Sequence, residues 1–481
     1  MTYSENLDLL EGVKSIYFIG IGGVGMSAAA GIAAQLGFEV RGSDSKELYD
    51  PAKQVLESNG IEYVAGYAIE NIQDNSADLY IASSGESESN PEVAYLVERG
   101  IQVHSFSELL AALSQEKLRV VVAGTHGKST TTGMLGKTLQ EIDDSSYMTG
   151  AVLQHEETNF HVGEGHYFVF EGDEYKALYD DPIPKFHQYK ADILVLTNLE
   201  FDHPDIFSSL EEMQDEFRQL IAALPSDGVA VYNADDISLA MLMHENNVGQ
   251  VSFALNNPAD FRATNLVADE TGTSFDVAWT KIKPGTTEKT EPIIENYQIN
   301  LFGDINVYNA LGVIALLRTL GFSQEQVQDG ISSYYGVKRR FELIGKNNGV
   351  TIYDDYAHHP TAVLETLKAA RTKFPDKKIW AVFEPHTYSR TSATLEELAK
   401  SFGSADEVLL AEIYPAREVK TAESITGAQV VEAIGKSHEH VRLVEDKKAA
   451  LALLKGELKP GDVVIVMAVG NFNLLAQDLM V

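Results

Sequence analysis

The fold is decided by the stretch Val121-Val122-Ala123-Gly124-Thr125-His126-Gly127-Lys128-Ser129-Thr130-Thr131-Thr132. The β-branched run before Gly124 predicts a strand, and the hydroxyl residues after Lys128 predict a helix that extends to about Leu139. The glycines allow successive backbone N–H groups to turn toward one anion, and the N-terminus of the helix adds a partial positive charge. We therefore expect this strand, loop and helix to bind nucleotide phosphate.

The lysine and the hydroxyl group at the end of this loop suit a triphosphate. Lys128 is expected to reach the β- and γ-phosphates, and the Ser129 hydroxyl is expected to bind Mg²⁺. The spacing Gly-x-x-Gly-Lys-Ser is two residues shorter than that of the standard phosphate loop. The alternative is a Gly/Ser/Thr-rich turn that only caps an ordinary helix. Phosphate binding is favoured because a strand precedes the loop and a helix follows it.

A second glycine-rich loop lies near the N-terminus. The predicted strand Ser15–Ile19 is followed by Gly20-Ile21-Gly22-Gly23-Val24-Gly25 and then by a predicted helix of small residues, Met26–Leu36. Asp44 ends the next predicted strand, 19 residues beyond Gly25, as in dinucleotide-binding folds. We expect a diphosphate at the start of this helix, either from NAD or from another ligand. A tight turn without a ligand is the alternative.

Composition restricts the class of protein. The chain has 481 residues, of which 44% are hydrophobic, so about two to four domains with real cores are expected. No cysteine is present, which excludes disulfides, thiolate metal sites and a cysteine nucleophile. The formal net charge of −34 argues against nucleic acid or an anionic membrane as a partner. The N-terminal residues lack the pattern of a signal peptide, so we expect the protein in the cytoplasm.

Two predicted strands in the middle of the chain end in acidic residues. The strand 166–170 leads into Glu171-Gly172-Asp173-Glu174, and the strand 192–198 leads into Leu199-Glu200-Phe201-Asp202-His203. Ligands of open α/β sheets bind beyond the carboxyl ends of the strands, and Mg²⁺ prefers carboxylates together with substrate phosphate. Turn residues and helix caps are the alternative for either cluster. Because both clusters follow the phosphate loop, a metal site is favoured.

The segment between these strands and the last third of the chain contains few candidate site residues. Residues 259–299 alternate between apolar and polar side chains and predict an antiparallel edge of the central sheet. Asn306 and Asn309 open a predicted helix, Val307–Leu317. Asparagine at this place either caps the helix or contacts a nucleotide, and the capping interpretation is favoured from the residues alone.

The last third of the chain predicts another α/β unit. Four apolar runs each lead into a polar loop, at residues 350–353, 378–383, 407–412 and 463–467. This pattern predicts a parallel sheet with one functional edge. The loop after the first run, Asp354-Asp355-Tyr356-Ala357-His358-His359-Pro360, is unusually rich in titratable groups.

Taken together, the motifs resemble those of the Mur ligases of peptidoglycan synthesis. The resemblance covers essentially the whole chain and rests on the two glycine loops, the acidic motifs after the middle strands, Lys338-Arg339-Arg340-Phe341-Glu342, the loop from Asp354 to Pro360, and Phe383-Glu384-Pro385-His386-Thr387-Tyr388-Ser389-Arg390-Thr391. It implies an α/β protein of three domains, in which N- and C-terminal Rossmann-like parallel sheets flank a central P-loop ATPase domain. The implied domains are a UDP-sugar-binding domain at 1–115, an ATP-binding domain at 116–335 and an amino-acid-binding domain at 336–481.

The resemblance also implies an activity. Within the family the motifs are most similar to those of the enzyme that joins L-alanine to the carboxylate of UDP-N-acetylmuramate through an acyl phosphate, with ATP and Mg²⁺. The alternative within the family is the recycling ligase that attaches a whole tripeptide to the same sugar nucleotide. Two rivals come from other classes. One is a nicotinamide-dependent dehydrogenase, which leaves the phosphate loop without a role, and the other is a nucleotide-binding regulator without ligase activity.

The resemblance assigns roles to residues of this sequence. The implied catalytic residues are Lys128, Glu174, His203, Arg340, His358 and Arg390. The implied ATP-binding residues are Gly124, Thr125, His126, Gly127, Lys128, Ser129, Thr130, Asn306, Arg340 and Asp355. The implied UDP-sugar-binding residues are Gly20, Gly22, Gly23, Gly25, Met26, Ser27, Asp44 and Ser84. The implied amino-acid-binding residues are Tyr356, His358, His386 and Arg390, and the implied metal ligands are Ser129, Glu174 and His203.

The chain departs from the family pattern at four places. Serine replaces the usual threonine at Ser129, and glycine replaces the usual alanine at Gly172. His161 stands where many members have arginine, so its role stays open. The insertion at 180–189 is similar to that of the tripeptide ligase. Because the C-terminal domain selects the amino acid, and its motifs resemble the L-alanine enzyme, L-alanine is the favoured amine.

Overall fold

The computed structural model describes residues 9–181, 183–202, 206–269, 271–280, 291–416 and 418–481. Three mainly parallel sheets follow one another along the chain, each with helices packed against it. The predicted α/β class, with Rossmann-like sheets on either side of a central P-loop sheet, is confirmed.

The first sheet has five parallel strands in the order β3-β2-β1-β4-β5. Its strands are β1 (Ser15–Ile19), β2 (Glu39–Asp44), β3 (Glu62–Ala65), β4 (Leu79–Ala82) and β5 (Val103–His104). Its helices are α1 (Val24–Gln35), α2 (Ala52–Ser58), α3 (Ile69–Asp74), α4 (Pro91–Glu98) and α5 (Phe106–Leu113). Alanine and glycine dominate α1, which lets this helix pack closely against the sheet and leaves eight of its residues buried.

The second sheet has ten strands in the order β15-β14-β13-β12-β11-β10-β6-β9-β7-β8. Its strands are β6 (Leu118–Ala123), β7 (Ser146–Met148), β8 (Phe160–His161), β9 (Tyr167–Glu171), β10 (Ile193–Leu196), β11 (Val229–Asn233), β12 (Gly249–Ala254), β13 (Phe261–Ala268), β14 (Thr273–Trp279) and β15 (Ile293–Ile299). Its helices are α6 (Lys128–Asp143), α7 (Lys185–Gln188), α8 (Leu210–Ala222), α9 (Ile237–Glu245), α10 (Asp304–Thr319) and α11 (Gln324–Ser332). The predicted antiparallel edge is confirmed, because β13, β14 and β15 pair in opposite directions.

The third sheet has six strands in the order β16-β17-β21-β18-β19-β20. Its strands are β16 (Glu342–Asn347), β17 (Val350–Asp355), β18 (Ile379–Phe383), β19 (Glu407–Leu410), β20 (Val441–Leu443) and β21 (Val463–Met467). Its helices are α12 (Pro360–Lys373), α13 (Tyr388–Ala393), α14 (Leu395–Lys400), α15 (Gly427–Ile434), α16 (Lys447–Glu457) and α17 (Leu475–Asp478). The four apolar runs predicted to be parallel strands are β17, β18, β19 and β21, and they pair in parallel.

The first two sheets share an apolar core. One buried cluster runs from α1 to Phe160, Phe168 and Phe170 of the second sheet. Gly31 of α1 lies against the Phe160 ring, and a Cβ atom there would approach the ring to 2.5 Å. The proposed domain boundaries near residues 115 and 335 fall in the connections α5–β6 and α11–β16. Among the described residues, no helix is long and apolar enough to cross a bilayer.

Candidate active site between the second and third sheets

The phosphate loop connects β6 to α6, as predicted. Gly124 and Gly127 have φ angles of +143° and +83°, which L side chains rarely adopt. A Cβ atom on Gly124 would lie 2.1 Å from Thr197 Oγ1, and one on Gly127 would lie 2.4 Å from Asn309 Oδ1. Both glycines are therefore required by backbone conformation and by space.

Lys128 is buried against an acidic partner. Its Nζ lies 3.1 Å from Glu174 Oε1 and 3.0 Å from Oε2, and it also donates to the carbonyl oxygen of Gly124 at 2.6 Å. Burial disfavours the charged ammonium, but the carboxylates of Glu174, Asp173 and Glu171 outweigh this effect and raise the pKa of Lys128. The lysine is thus held as a cation at the mouth of the phosphate loop.

Ser129 contacts an acidic residue that the sequence interpretation did not select. The Ser129 hydroxyl donates to Glu171 Oε1 at 2.8 Å, whereas Glu174 pairs with Lys128. Glu171 also accepts hydrogen bonds from the Thr149 hydroxyl at 3.0 Å and from the Gly150 amide at 2.6 Å. The sequence did contain a signal for Glu171, because this residue ends β9, the strand that pairs with β6. An oxygen-rich pair next to the phosphate loop suits a hard divalent cation.

One cleft of about 280 Å³ joins this loop to the third sheet. It contains all the residues from Thr125 to Thr130 together with Asn306, Arg340 and Asp355, so the structure brings together predicted ATP-binding residues more than 200 positions apart. Further lining comes from Glu171, Tyr335, Phe341, Tyr353 and Lys373. The cleft is therefore built by both domains.

Asp355 organises the wall of the cleft that carries Arg340. Its carboxylate accepts hydrogen bonds from the backbone amides of Phe341 at 2.7 Å and Ala357 at 2.6 Å. Burial raises the pKa of Asp355, and the charge of Arg340 opposes this shift. Phe341 stacks on Tyr353 with ring centroids 4.3 Å apart. Asp355 thus positions the segment that presents Arg340.

The capping interpretation of the two asparagines is wrong. The helix α10 begins at Asp304, so Asn306 and Asn309 lie inside its first turns. Asn306 Nδ2 donates to the carbonyl oxygen of Phe302 at 2.8 Å, and Asn309 Nδ2 lies 3.3 Å from Asn306 Oδ1. Gly303, with φ +87°, precedes the helix without a side-chain cap and moves its start toward the N-terminus. Both asparagines line the cleft.

The residues implied for amino-acid binding lie together on the third sheet. The rings of His358 and His386 are 5.4 Å apart, and those of Tyr356 and His358 are also 5.4 Å apart. Arg390 Nη1 donates to His386 Nδ1 at 3.2 Å. Burial and the nearby Arg390 charge hold the pKa of His358 well below its ordinary value, so its imidazole is neutral at pH 7.

Arg390 also joins the third sheet to the second. Its Nη2 lies 2.9 Å from Asp202 Oδ1, and both side chains are less than a tenth exposed. Asp202 is the neighbour of His203, which was predicted as a metal ligand and lies outside the described residues.

The residues implied for UDP-sugar binding lie at the carboxyl edge of the first sheet, and none of them lines the cleft described above. The loop 20–25 connects β1 to α1, and Met26 and Ser27 are buried in α1. Asp44 Oδ2 accepts a hydrogen bond from the Gly22 amide at 2.8 Å. Ser84 follows β4, the strand beside β1. The Asp44 carboxylate thus closes the glycine loop.

The two open features of the sequence have structural roles. His161 Nε2 lies 3.0 Å from Asp144 Oδ1, at the far end of α6 from the phosphate loop. In the described part of the insertion, Gln188 Oε1 accepts hydrogen bonds from the hydroxyl groups of Ser105 at 2.5 Å and Ser107 at 2.6 Å. Lys185 Nζ lies 2.6 Å from Asp173 Oδ2. The insertion therefore connects the first domain to the acidic loop after β9.

Comparison with known families gives three matches in chain order. Residues 15–118 match the model described as Mur ligase family, catalytic domain. Residues 122–317 match the Mur ligase middle domain, and residues 339–470 match the Mur ligase, glutamate ligase domain.

Similar proteins extend over nearly the whole chain. The UDP-N-acetylmuramate–L-alanine ligase of Clostridium acetobutylicum is 35% identical over 461 residues, which cover 95% of either chain. The enzyme of the same name from Acetivibrio thermocellus is 36% identical over 473 residues, covering 97% of this chain and 96% of the relative. Among solved structures, a murein peptide ligase from Psychrobacter arcticus is 27% identical with a TM-score of 0.70, and UDP-N-acetylmuramate-alanine ligase from Thermotoga maritima is 24% identical with a TM-score of 0.77. Each match covers 97% of this chain and 98% of the other.

Proposed function

This chain belongs to the Mur ligase family, and we propose that it is an ATP-dependent ligase that joins L-alanine to the carboxylate of UDP-N-acetylmuramate in peptidoglycan precursor synthesis. The observation that carries the proposal is the shared cleft, in which Lys128 and Ser129 of the second domain face Arg340 and Asp355 of the third. A nucleotide-binding regulator needs no such junction with a third domain that holds a cluster of histidines and arginine.

The proposed reaction couples the formation of an amide bond, which is unfavourable in water, to the cleavage of ATP. A carboxylate oxygen of the sugar acid attacks the γ-phosphorus of ATP, the bond to the β-phosphate oxygen breaks, and ADP leaves. The amine of L-alanine then attacks the carbonyl carbon of the acyl phosphate and releases phosphate. No enzyme nucleophile is required, so the protein acts by alignment and by stabilising charge.

Each part of the site has a task in this proposal. The Lys128 ammonium and the Arg340 guanidinium stabilise charge on the transferring phosphoryl group. Arg390 and His386 orient the amino acid. The neutral imidazole of His358 accepts the proton that the ammonium must lose before attack. The glycine loop 20–25 holds the diphosphate of the sugar nucleotide at the start of α1, so the sugar nucleotide, and not NAD, is the proposed ligand of this loop.

The residues beside Lys128 fit a magnesium ion. Ser129 and Glu171 supply a hydroxyl and a carboxylate oxygen 2.8 Å apart, and Glu174 adds a second carboxylate at the same edge. We propose that these three, with His203, hold Mg²⁺. When bound, the ion would offset phosphate charge. We also propose that the reaction takes place in the cytoplasm.

There is a second candidate for the amine substrate. Relatives at 35–36% identity are named for L-alanine, which supports the proposal. The structure at 27% identity is named as a murein peptide ligase, and a peptide as the amine supports the tripeptide as the alternative. The two candidates share the same cleft and differ only in the amine that enters beside His358 and His386.

Phosphate release decides between the candidates. The purified full chain is incubated with UDP-N-acetylmuramate, Mg²⁺ and ATP, and with either L-alanine or the tripeptide, and the product mass is measured. We expect phosphate and a product one alanine heavier with L-alanine. Stimulation by the tripeptide alone would overturn the choice of amine. A protein that forms no ADP with either amine would overturn the ligase proposal itself.

A further inference from the structure

Three side chains converge behind the phosphate loop, at the contact between the second and third domains. They are His126 of the loop, Glu200 after β10, and His359, the residue before α12. One ligand atom from each lies within 4.8 Å of the others. His126 Nε2 is 3.4 Å from Glu200 Oε2, and the two imidazole rings are 4.7 Å apart. His126 also lines the nucleotide cleft, whereas the proposed reaction gives no step to Glu200 or His359.

Independent contacts hold each of the three groups in place. The His126 amide donates to Asn198 Oδ1 at 2.8 Å, and the Glu200 amide donates to the Thr125 hydroxyl at 2.9 Å. The Thr361 amide donates to His359 Nδ1 at 3.4 Å, a long hydrogen bond that is given up when the ring proton moves to Nδ1 and Nε2 becomes the ligand nitrogen. The backbone on either side of the site is therefore fixed, with one set of ligands from each domain, and metal binding needs only side-chain adjustment.

The protonation states suit a cation. Hydrogen bonding to His126 lowers the pKa of Glu200 to about 2, and burial lowers the pKa of His359 to about 4. At neutral pH the carboxylate is ionised and the His359 imidazole is neutral, which are the forms that bind metals. The charge of Arg390, which acts on His359, is offset by Asp202 at 2.9 Å.

We infer that His126, Glu200 and His359 form a transition-metal site, of the class that binds Zn²⁺, which fastens the phosphate loop to the third domain. Two imidazole nitrogens and one carboxylate are a zinc-type ligand set, whereas Mg²⁺ prefers oxygen. Tetrahedral ligands at about 2.0–2.1 Å from zinc are roughly 3.3 Å apart. The 3.4 Å between His126 Nε2 and Glu200 Oε2 matches this separation. The three ligand atoms lie within 4.8 Å of one another, so the His359 atom must move closer to the other two by at most about 1.5 Å.

The Glu200 carboxylate can serve a metal without losing its present partner. Its Oε2 accepts a hydrogen bond from the Thr361 hydroxyl at 2.8 Å, and a carboxylate offers about four lone-pair positions. Thr361 belongs to α12, so this hydrogen bond already ties Glu200 to the third domain. A bound ion would strengthen the same contact.

Zinc binding tests the inference directly, without ATP, Mg²⁺ or turnover, so its result is separate from that of the ligase proposal. Zn²⁺ is titrated into the full chain in competition with a chromophoric chelator, and Co²⁺ absorption reports the coordination number. The test variant is His359→Asn, which keeps a side-chain acceptor for the cap of α12 but removes Nε2. The control is His166→Gln, which removes an exposed histidine that pairs with Asp143 at 2.9 Å.

We expect one Zn²⁺ per wild-type chain, an intense four-coordinate Co²⁺ spectrum, and at least a tenfold weaker affinity in His359→Asn, with no change in His166→Gln. Equal affinity in the wild type and His359→Asn would overturn the inference, as would an octahedral Co²⁺ spectrum in the wild type. If His359→Asn has a lower thermal midpoint without metal, Glu200→Gln replaces it, and the same two outcomes apply.

Discussion

The buried pair of Lys128 and Glu174 gives a prediction that separates folding from catalysis. Lys128 is 13% exposed, Glu174 is 2% exposed, and their charged atoms are 3.0 Å apart. In Lys128→Met the Glu174 carboxylate stays buried without its cation, which costs about 3–5 kcal/mol of folding free energy. In the double variant Lys128→Met/Glu174→Gln both charges are gone, so stability should return to within about 1 kcal/mol of the wild type.

Activity should not return with stability. In the proposed mechanism the Lys128 ammonium stabilises the transferring phosphoryl group, and one such charge-assisted contact in a shielded site is worth up to about 4 kcal/mol. Since about 1.4 kcal/mol is a factor of ten, Lys128→Met should lose roughly a thousandfold in kcat, and the double variant at least as much because it also lacks Glu174, a proposed Mg²⁺ ligand. The contribution of the Lys128 ammonium is measured in the single variant, and the double variant shows that restoring stability does not restore activity.

The measurements are thermal and urea midpoints, followed by ADP formation with UDP-N-acetylmuramate and L-alanine. The control is Lys137→Met on the same helix, whose lysine pairs with Glu141 and Glu156 away from the phosphate loop. It should lose little stability and no activity. The reasoning is refuted if Lys128→Met keeps kcat within tenfold of the wild type, or if the double variant is as unstable as the single one.

Two further predictions follow from the geometry around the loop. Burial lowers the pKa of His359 to about 4, so below pH 6.5 the folded state binds fewer protons than the unfolded state. The free energy of unfolding should therefore fall as the pH drops from 6.5 to 4, by at most about 1.4 kcal/mol per pH unit. In urea titrations, His359→Asn should flatten this slope. The lowered pKa of Glu200, about 2, adds a loss in the same direction below pH 4.5. Gly127→Ala places a Cβ atom 2.4 Å from Asn309 Oδ1 at a φ of +83°, so the KM for ATP should rise at least tenfold. The control Gly403→Ala adds a Cβ atom with nothing within 4 Å and should leave this KM unchanged. Equal KM values for the two variants would contradict this account.

The local pattern of the chain was sufficient for the three α/β units. The β-branched runs, the glycines of the two loops and the lysine before α6 each specify a strand, a turn or a helix start through short-range sterics and backbone hydrogen bonding. The strands β6 and β17 and the loop between β6 and α6 were therefore predictable, as were the acidic residues after β9 and β10. The local pattern gave the wrong role for Asn306, because α10 begins at Asp304, directly after Gly303, and Asn306 therefore lies inside the helix.

Only the tertiary structure decided which of these groups meet. It pairs Ser129 with Glu171, Arg390 with Asp202, and His126 with Glu200 and His359, across separations of up to 233 residues. It also uses the insertion around Gln188 to bind the first domain. Contacts of this kind depend on how whole sheets pack against one another. Side-chain periodicity within a single element carries no information about the element that will face it.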